Sequence, residues 1–399
     1  MENKKVVLAY SGGLDTSYCV KYLSQDRGLD VYTVLVDTGG FEKDELQAIG
    51  EKAILMGAKQ HFVVNATRDY YDECIRYLVF GNVLKYSTYP LSVSSERIIQ
   101  AKKIAAKAKQ MKAAYVAHGS TGAGNDQVRF DLIFRILIPE IQIITPIRDL
   151  KLSRQDEIDY LKKHNVKLDW QKAKYSINKG IWGTSVGGEE TLTSDKFLPG
   201  SAFPTQLKTE AIEDITLVFE KGELIGFNGK TYGDPVQALT ELSKFIEPWA
   251  LGRDIHVGDT VIGIKGRVGF EAGLSLLIIK AHQHLEKHNL TKGQIYWKDQ
   301  LADWYGMLIH EGQFLDPLAR DIEKFLENTQ KFISGSVFVR LAPYRFFILG
   351  IKSDHDLMSS EFGAYGEMNL AWSGDDVKGF TKILANQTMI YNKVNKINE

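Results

Sequence analysis

Between Val6 and Leu23 the chain reads VVLAYSGGLDTSYCVKYL: a β-branched apolar run, two adjacent glycines, then a helical period rich in hydroxyls. This junction constrains the fold more than any other stretch, because a strand that turns directly into a helix has few ways to pack. Two glycines permit backbone angles that a Cβ forbids, so consecutive N–H groups can converge on one anion. The helix that follows adds free N–H groups and the positive end of its dipole. Ser11, Thr16 and Ser17 add hydroxyl donors, and together these groups suit a multiply charged phosphate. A glycine-rich turn in which Asp15 or Thr16 simply caps a helix is the plainer alternative.

The rhythm continues. Strand-like runs at Lys5–Tyr10, Val31–Val36, Gln60–Val64, Ala113–Ala117 and Gln142–Thr145 alternate with amphipathic stretches at Lys43–Met56, Glu96–Lys109, Gln127–Leu137 and Arg154–His164. Such alternation predicts βαβ units, a parallel sheet and an α/β class, with ligands at the carboxyl ends of strands. The loops after Tyr10, Val36 and Ala117 are therefore the ones to watch. From about Trp170 the texture becomes loop-rich, and strands are expected at Ile215–Glu220, Glu223–Phe227, Thr260–Lys265 and Ser336–Ala342. Helices are expected at Pro235–Leu251, Leu274–Leu285 and Pro317–Phe332. The division expected is a nucleotide-binding domain over 1–168, an α+β domain over 169–368 and a terminal helix or tail over 369–399. Helical by pattern from Asp375 to Asn395, the tail suits docking on another subunit or fraying in solvent.

A length of 399 residues exceeds one ordinary core. With 49 basic and 50 acidic residues the formal charge is −1, which argues against broad attachment to nucleic acid or an anionic membrane. Any anion must be held by local donors. No apolar run approaches the roughly 18 residues that a membrane helix needs. The sequence MENKK passes straight into a strand without a signal-peptide core. Cys19 and Cys74, 55 positions apart, exclude a disulfide framework or a four-cysteine zinc site and suit a reduced cytoplasm. In HQHLEKH only His284 and His288 share a helix face, so His282, His284 and His288 read as surface histidines rather than ligands. AKKIAAKAKQMK reads as a solvated basic face, and Trp182, Trp249 and Trp304 as core or interface anchors.

A second strand–glycine loop–helix device occurs in YVAHGSTGAGNDQVRFDLIF, Tyr115 to Phe134. Gly119, Gly122 and Gly124 free the backbone, and Asn125 and Asp126 sit where a helix would start. Asn125 and Arg129, four apart, share a helix face and can address one ligand. Arg129 offers a planar donor fork suited to a carboxylate or oxyanion. A capped helix with a surface Arg–Asp pair is the alternative from spacing alone.

Neither G-x-x-x-x-G-K-[ST] nor G-x-G-x-x-G opens the first helix. The stretch instead resembles the S-G-G-x-D-[ST] loop of the PP-loop ATP pyrophosphatases, which cleave ATP between its α- and β-phosphates and grip the departing pyrophosphate with this loop. HGSTGAGNDQVRF is similar to the signature of the argininosuccinate synthetase family, and the match extends from LAYSGGLDTS through ITPIRD to the tail helix. The resemblance implies a PP-loop ATP-binding domain followed by an α+β synthetase domain. It implies a ligase that condenses citrulline with L-aspartate through a citrullyl-adenylate, releasing AMP and pyrophosphate, with magnesium accompanying ATP. On it, Ala9, Tyr10, Ser11, Gly12, Gly13, Leu14, Asp15, Thr16, Ser17, Val36 and Gly119 hold ATP. Thr121, Asn125 and Asp126 hold aspartate; Tyr89, Ser94, Asn125, Arg129, Ser176, Ser185 and Phe270 hold citrulline. Ser11, Asp15, Asp126 and Arg129 are the catalytic candidates, with Asp126 orienting the aspartate amine. No metal site of protein side chains is expected, and a cytoplasmic homotetramer is implied.

Three positions depart from that family. Val36 stands where a small alanine is usual beside adenine. An ungapped alignment through HVGDTVIGIKGRVGFEAG puts Gly258 and Phe270 where a glutamate and, twelve residues on, a tyrosine commonly contact citrulline, whereas a gap would put Asp259 at the acid position. Leaving a buried ammonium unpaired costs roughly 3–5 kcal/mol, and a Tyr→Phe exchange on the order of 1 kcal/mol. An Nα-acylated (acetyl or succinyl) citrulline is therefore an alternative substrate, with Lys265 or Arg267 near its acyl group. PP-loop tRNA-modifying enzymes are a more distant one, although thiolating members would want a reactive cysteine pair.

Overall fold

The structure, a computed structural model, describes residues 3–166, 175–359, 363, 365–367 and 371–397. Its first half runs β1 (Lys5–Ala9), α1 (Leu14–Gln25), β2 (Asp30–Asp37), α2 (Lys43–Met56), β3 (Gln60–Asn65), α3 (Thr67–Tyr70), α4 (Arg76–Phe80), α5 (Ser92–Gln110), β4 (Tyr115–Ala117), α6 (Asp126–Leu137), β5 (Gln142–Ile144), α7 (Pro146–Asp149) and α8 (Arg154–Lys163). The strands form one parallel sheet in the order β3-β2-β1-β4-β5. Along β1, alternation sends Val7 and Ala9 to one core and Val6 and Leu8 to another, so helices cover both faces. Each strand expected from the sequence in this half is present.

The second half continues with β6 (Ser176–Asn178), β7 (Thr184–Gly187), β8 (Glu213–Glu220), β9 (Glu223–Phe227), β10 (Lys230–Thr231), α9 (Pro235–Ile246), β11 (Arg253–Asp259), β12 (Lys265–Glu271), α10 (Gly273–Asn289), α11 (Lys292–Glu311), α12 (Pro317–Thr329), β13 (Gly335–Ala342), β14 (Arg345–Lys352) and α13 (Gly374–Val394). It holds two antiparallel sheets, β10-β9-β8-β13-β14 and β11-β12-β7-β6. One apolar core runs from Val7 and Val34 on the parallel sheet through Trp182 and Phe270 to Leu277 and Val339. The expected domain boundaries, at 168/169 and 368/369, lie outside the described residues.

Two expectations change. Thr260–Lys265 is not a strand but the turn joining β11 to β12, because Thr260 closes it by donating from N and Oγ1 to the Ile264 carbonyl, both at 2.8 Å. The histidines are not all at the surface: His282 is fully buried on α10, bonded to Asn82 and Gln330 at 2.6 and 2.8 Å. Helix α11 adds to the helices expected from pattern, and Thr291 and Gln294 cap it reciprocally. Trp182 and Trp249 are buried anchors, whereas Trp304 is half exposed.

Candidate functional site

The first loop leaves β1 at Ala9 and enters α1 at Leu14. Gly12 takes φ +78°, and a Cβ there would lie 3.1 Å from Ile49, so both conformation and space demand glycine. Gly13 is the N-cap of α1 and no side chain caps it, which removes the capping role considered for Asp15 or Thr16. Ser17 Oγ donates to the Gly13 carbonyl at 2.7 Å, and Ser11 Oγ accepts from Gly13 N at 3.4 Å. Tyr10, Leu14 and Val36 are buried, so what they offer a ligand is main chain and packing.

Two ionisable groups at this loop carry no sequence motif. Lys52 on α2 donates to the Gly12 carbonyl at 2.5 Å, and burial lowers its ammonium to about 8. Glu157 on α8 is buried and hydrogen-bonded to Asp15. Burial, then the Asp15 charge, pushes its carboxyl up to about 8, while burial raises Asp15 as well. Such a pair holds one proton between two carboxyls near neutrality.

The second loop follows β4 and packs directly on the first. A Cβ on Gly119 would sit 3.3 Å from the main chain of Asp15 and Thr16, a tight contact that shows how closely the two loops approach. His118 on this loop bonds Asp131 at 2.9 Å, and Gln127 Nε2 donates to the Gly122 and Gly124 carbonyls at 2.6 and 3.1 Å. Thr121 is exposed at the loop. Asn125 Oδ1 accepts from Val261 N at 2.8 Å, which ties the β11–β12 turn to this loop.

Asp126 opens α6 between two guanidinium groups, Arg97 at 2.9 Å and Arg129 at 2.8 Å. Burial would raise its carboxyl, but Arg97 and then Arg129 outweigh burial and hold it below the usual range. Arg97 also donates to Asn178 at 2.8 Å and pairs with buried Glu96, which accepts from Thr38. Arg129 is 3% exposed, so the surface-pair alternative fails. Its fork is largely engaged: Nε and Nη2 donate to the His310 carbonyl, and Nη2 reaches Ser94 Oγ at 2.9 Å. Buried His310 is lowered to about 4 by burial and then by Arg129.

The β11-β12-β7-β6 sheet roofs this cluster. Register pairs Asn178 with Ser185, Ser185 with Phe270 and Val268 with His256, which puts these side chains on one face. Tyr89 meets that face, its ring 5.3 Å from Phe270 and 5.0 Å from His256. Phe270 is fully buried and offers packing alone, and Ser176 is exposed at the sheet margin. Gly258 has no room for a side chain, since a Cβ would lie 2.6 Å from His256 Nε2. The structure thus gathers the first loop, the second loop, Tyr89, Ser94 and Ser185 at one seam, and adds Arg97, Glu96, His256 and His310. No sequence motif marks those four; nonlocal pairing alone brings them in.

Among the described residues no three His, Cys, Asp or Glu side chains form a group that could hold a metal. Nor, among the same residues, is any helix long and apolar enough to cross a membrane.

Two family models match the chain: "Arginosuccinate synthase N-terminal HUP domain" over residues 5–167 and "Arginosuccinate synthase C-terminal domain" over residues 175–391. The chain is 35% identical over 393 residues to the argininosuccinate synthase of Dictyoglomus turgidum, covering 98% of each. It is 34% identical to that of Sulfolobus acidocaldarius over 98% of this chain and 99% of the relative. To that of Methanocaldococcus jannaschii it is 34% identical, over 96% of this chain and 97% of the relative.

Proposed function

The chain belongs to the argininosuccinate synthase family, ATP-using ligases that form a carbon–nitrogen bond, and from that membership we propose how its residues divide the reaction. Citrulline's ureido group is a poor electrophile. Its oxygen attacks the α-phosphorus of ATP, pyrophosphate leaves, the aspartate amine then attacks the activated carbon, and AMP departs. Ser11–Ser17 hold the triphosphate through main-chain N–H groups and hydroxyls, with Lys52 adding positive charge at Gly12. Preorganised donors aimed at a leaving pyrophosphate are worth far more there than in bulk water. A magnesium ion accompanying ATP would offset phosphate charge.

Asp126, Asn125 and Thr121 hold the aspartate. A carboxylate kept ionised by two guanidinium groups is a weak base, so Asp126 orients the amine rather than taking its proton. Tyr89, Ser94 and Ser185 line the citrulline pocket, and Arg129 acts chiefly by fixing Ser94, Asp126 and His310 relative to one another. The observation that carries this reading is the packing of Gly119 onto Asp15–Thr16, which puts the phosphate loop beside Asp126. Steady-state release of AMP and pyrophosphate over many turnovers that needs both citrulline and aspartate tests it; sustained turnover with either alone overturns it.

Relatives named argininosuccinate synthase do not favour the acylated substrate, and the C-terminal family match separates the chain from tRNA-modifying PP-loop enzymes. The divisions 1–168, 169–368 and 369–399 and a cytoplasmic setting belong to this proposal. So does a homotetramer joined partly through α13, whose Phe380, Ile383 and Leu384 are exposed.

A further inference from the structure

Within the roof of the site, His256 is an imidazole that the protein does not satisfy. Its ring stacks on Tyr89 and on Tyr86, with centroids 5.0 and 5.9 Å away. Only 6% exposed, it has no hydrogen-bond partner for either nitrogen among the described residues. Its nitrogens are not sealed off from solvent, so a group from outside the chain can reach them. Nε2 points along β11 toward Gly258, where the missing Cβ leaves it room. Next comes Asp259, whose carbonyl bonds His310 Nε2 at 3.2 Å, so the ring lies at the end of the cluster built by His310, Arg129 and Ser94.

The groups around this end are unequal in kind. Donors abound: Lys85 beside Tyr86, and the hydroxyls of Ser94 and Ser185. Acceptors are scarce, because Asp126 is held by Arg97 and Arg129, and Asp259 by Lys265 at 2.6 Å and Tyr86 at 3.2 Å. A bound amino acid brings a carboxylate, which these donors serve, and an ammonium, which needs a lone pair. Burial, then Lys85, keeps the imidazole neutral, so one of its nitrogens carries that lone pair.

We infer that His256 is a specificity-determining residue for the amino-acid substrate: its unpaired ring nitrogen accepts a hydrogen bond from the α-ammonium of citrulline. The inference rests on the reading of this cleft as the citrulline pocket and deepens it.

The test compares citrulline with δ-ureidovalerate, which carries the same ureido group and carboxylate without the α-ammonium. Wild-type kcat/KM should favour citrulline by roughly 10- to 100-fold, the span of one hydrogen bond to a charged group. His256→Leu should lose most of that preference through a higher citrulline KM, with the KM values for ATP and aspartate unchanged. His256→Asn, which keeps an acceptor, should retain much of it. His256→Phe keeps the stack on Tyr89 and serves as the second acceptor-free variant if leucine unfolds the roof. An unchanged preference in the acceptor-free variants overturns the inference while the functional reading stands. A wild-type enzyme that releases no pyrophosphate with citrulline and aspartate overturns both.

Discussion

Arg129 donates two hydrogen bonds to the main-chain carbonyl of His310, from Nε at 3.0 Å and from Nη2 at 2.8 Å. One planar guanidinium thereby joins α6 to α11, 181 positions along the chain, while also holding Ser94 and Asp126. A lysine ammonium cannot reproduce that fork. Arg129→Lys should lower kcat/KM for citrulline by roughly 100-fold, as two buried charged hydrogen bonds are lost. Steady-state pyrophosphate release reads this, and near wild-type kinetics would show that the fork does not organise the citrulline pocket.

Asp126 should influence the second half-reaction more than the first. With Asp126→Asn, citrulline-dependent exchange of pyrophosphate into ATP should survive better than argininosuccinate formation. Equal losses in both assays would mean that the Arg97–Asp126–Arg129 row simply supports the site. Because its carboxyl is held below the usual range, no limb of the wild-type rate profile around neutrality should belong to Asp126.

Glu157 predicts an alkaline loss. Its folded value, about 8, lies above the ordinary 4.5, so its stabilising contribution is fully present below 4.5 and disappears as pH rises through 8. Ionisation there adds a second negative charge beside Asp15, under the pyrophosphate cradle, faced also by Arg154, Asp156 and Cys19. Tm should fall between about pH 4.5 and 8, ATP affinity should fall as pH rises through about 8, and Glu157→Gln should flatten both. Identical pH profiles for the two proteins would discard the shared-proton account.

His310 predicts the opposite limb. Lowered to about 4 from 6.5, it stays neutral when folded while the unfolded chain takes up its proton. Its contribution is complete above 6.5 and is lost as pH falls toward 4. Thermal unfolding of His310→Gln should show a shallower acid dependence over that window, and an unaltered slope would assign the acid loss elsewhere.

For the tail, Phe380→Asp combined with Leu384→Asp should reduce the mass measured by light scattering without altering the far-ultraviolet signal beyond α13 itself. An unchanged mass would leave these side chains out of the assembly.

Local chemistry made much of this legible. The Gly12–Gly13 turn and the alternation through β5 could be read because glycine freedom and side-chain period act over a few residues. Asn125, Asp126 and Arg129 were likewise placed by helical spacing. What stayed hidden depends on partners far along the chain. Arg97 looks like any helical arginine until Asp126 and Asn178 arrive, and Glu157 looks like a first-turn acid until Asp15 lies against it. The Thr260–Lys265 run is β-branched enough to pass for a strand, yet the turn's own hydrogen bonds to Ile264 decide its shape. The open space at Gly258 gave no hint that His256 would fill it.

Sheet order has a further consequence, for the chain as it leaves the ribosome. β7 pairs with β6 but finds its other neighbour only when β12 has been made, and Arg129 waits for the carbonyl of His310. The phosphate loop, by contrast, belongs to β1 and α1, which are synthesised well before either. Since leading domains fold while later ones are still being translated, a nascent chain passes through a stage with an ATP cradle and no roof. Only a polypeptide extended past His310 can position the ureido oxygen against the nucleotide, so the order of synthesis itself defers turnover until the seam is closed.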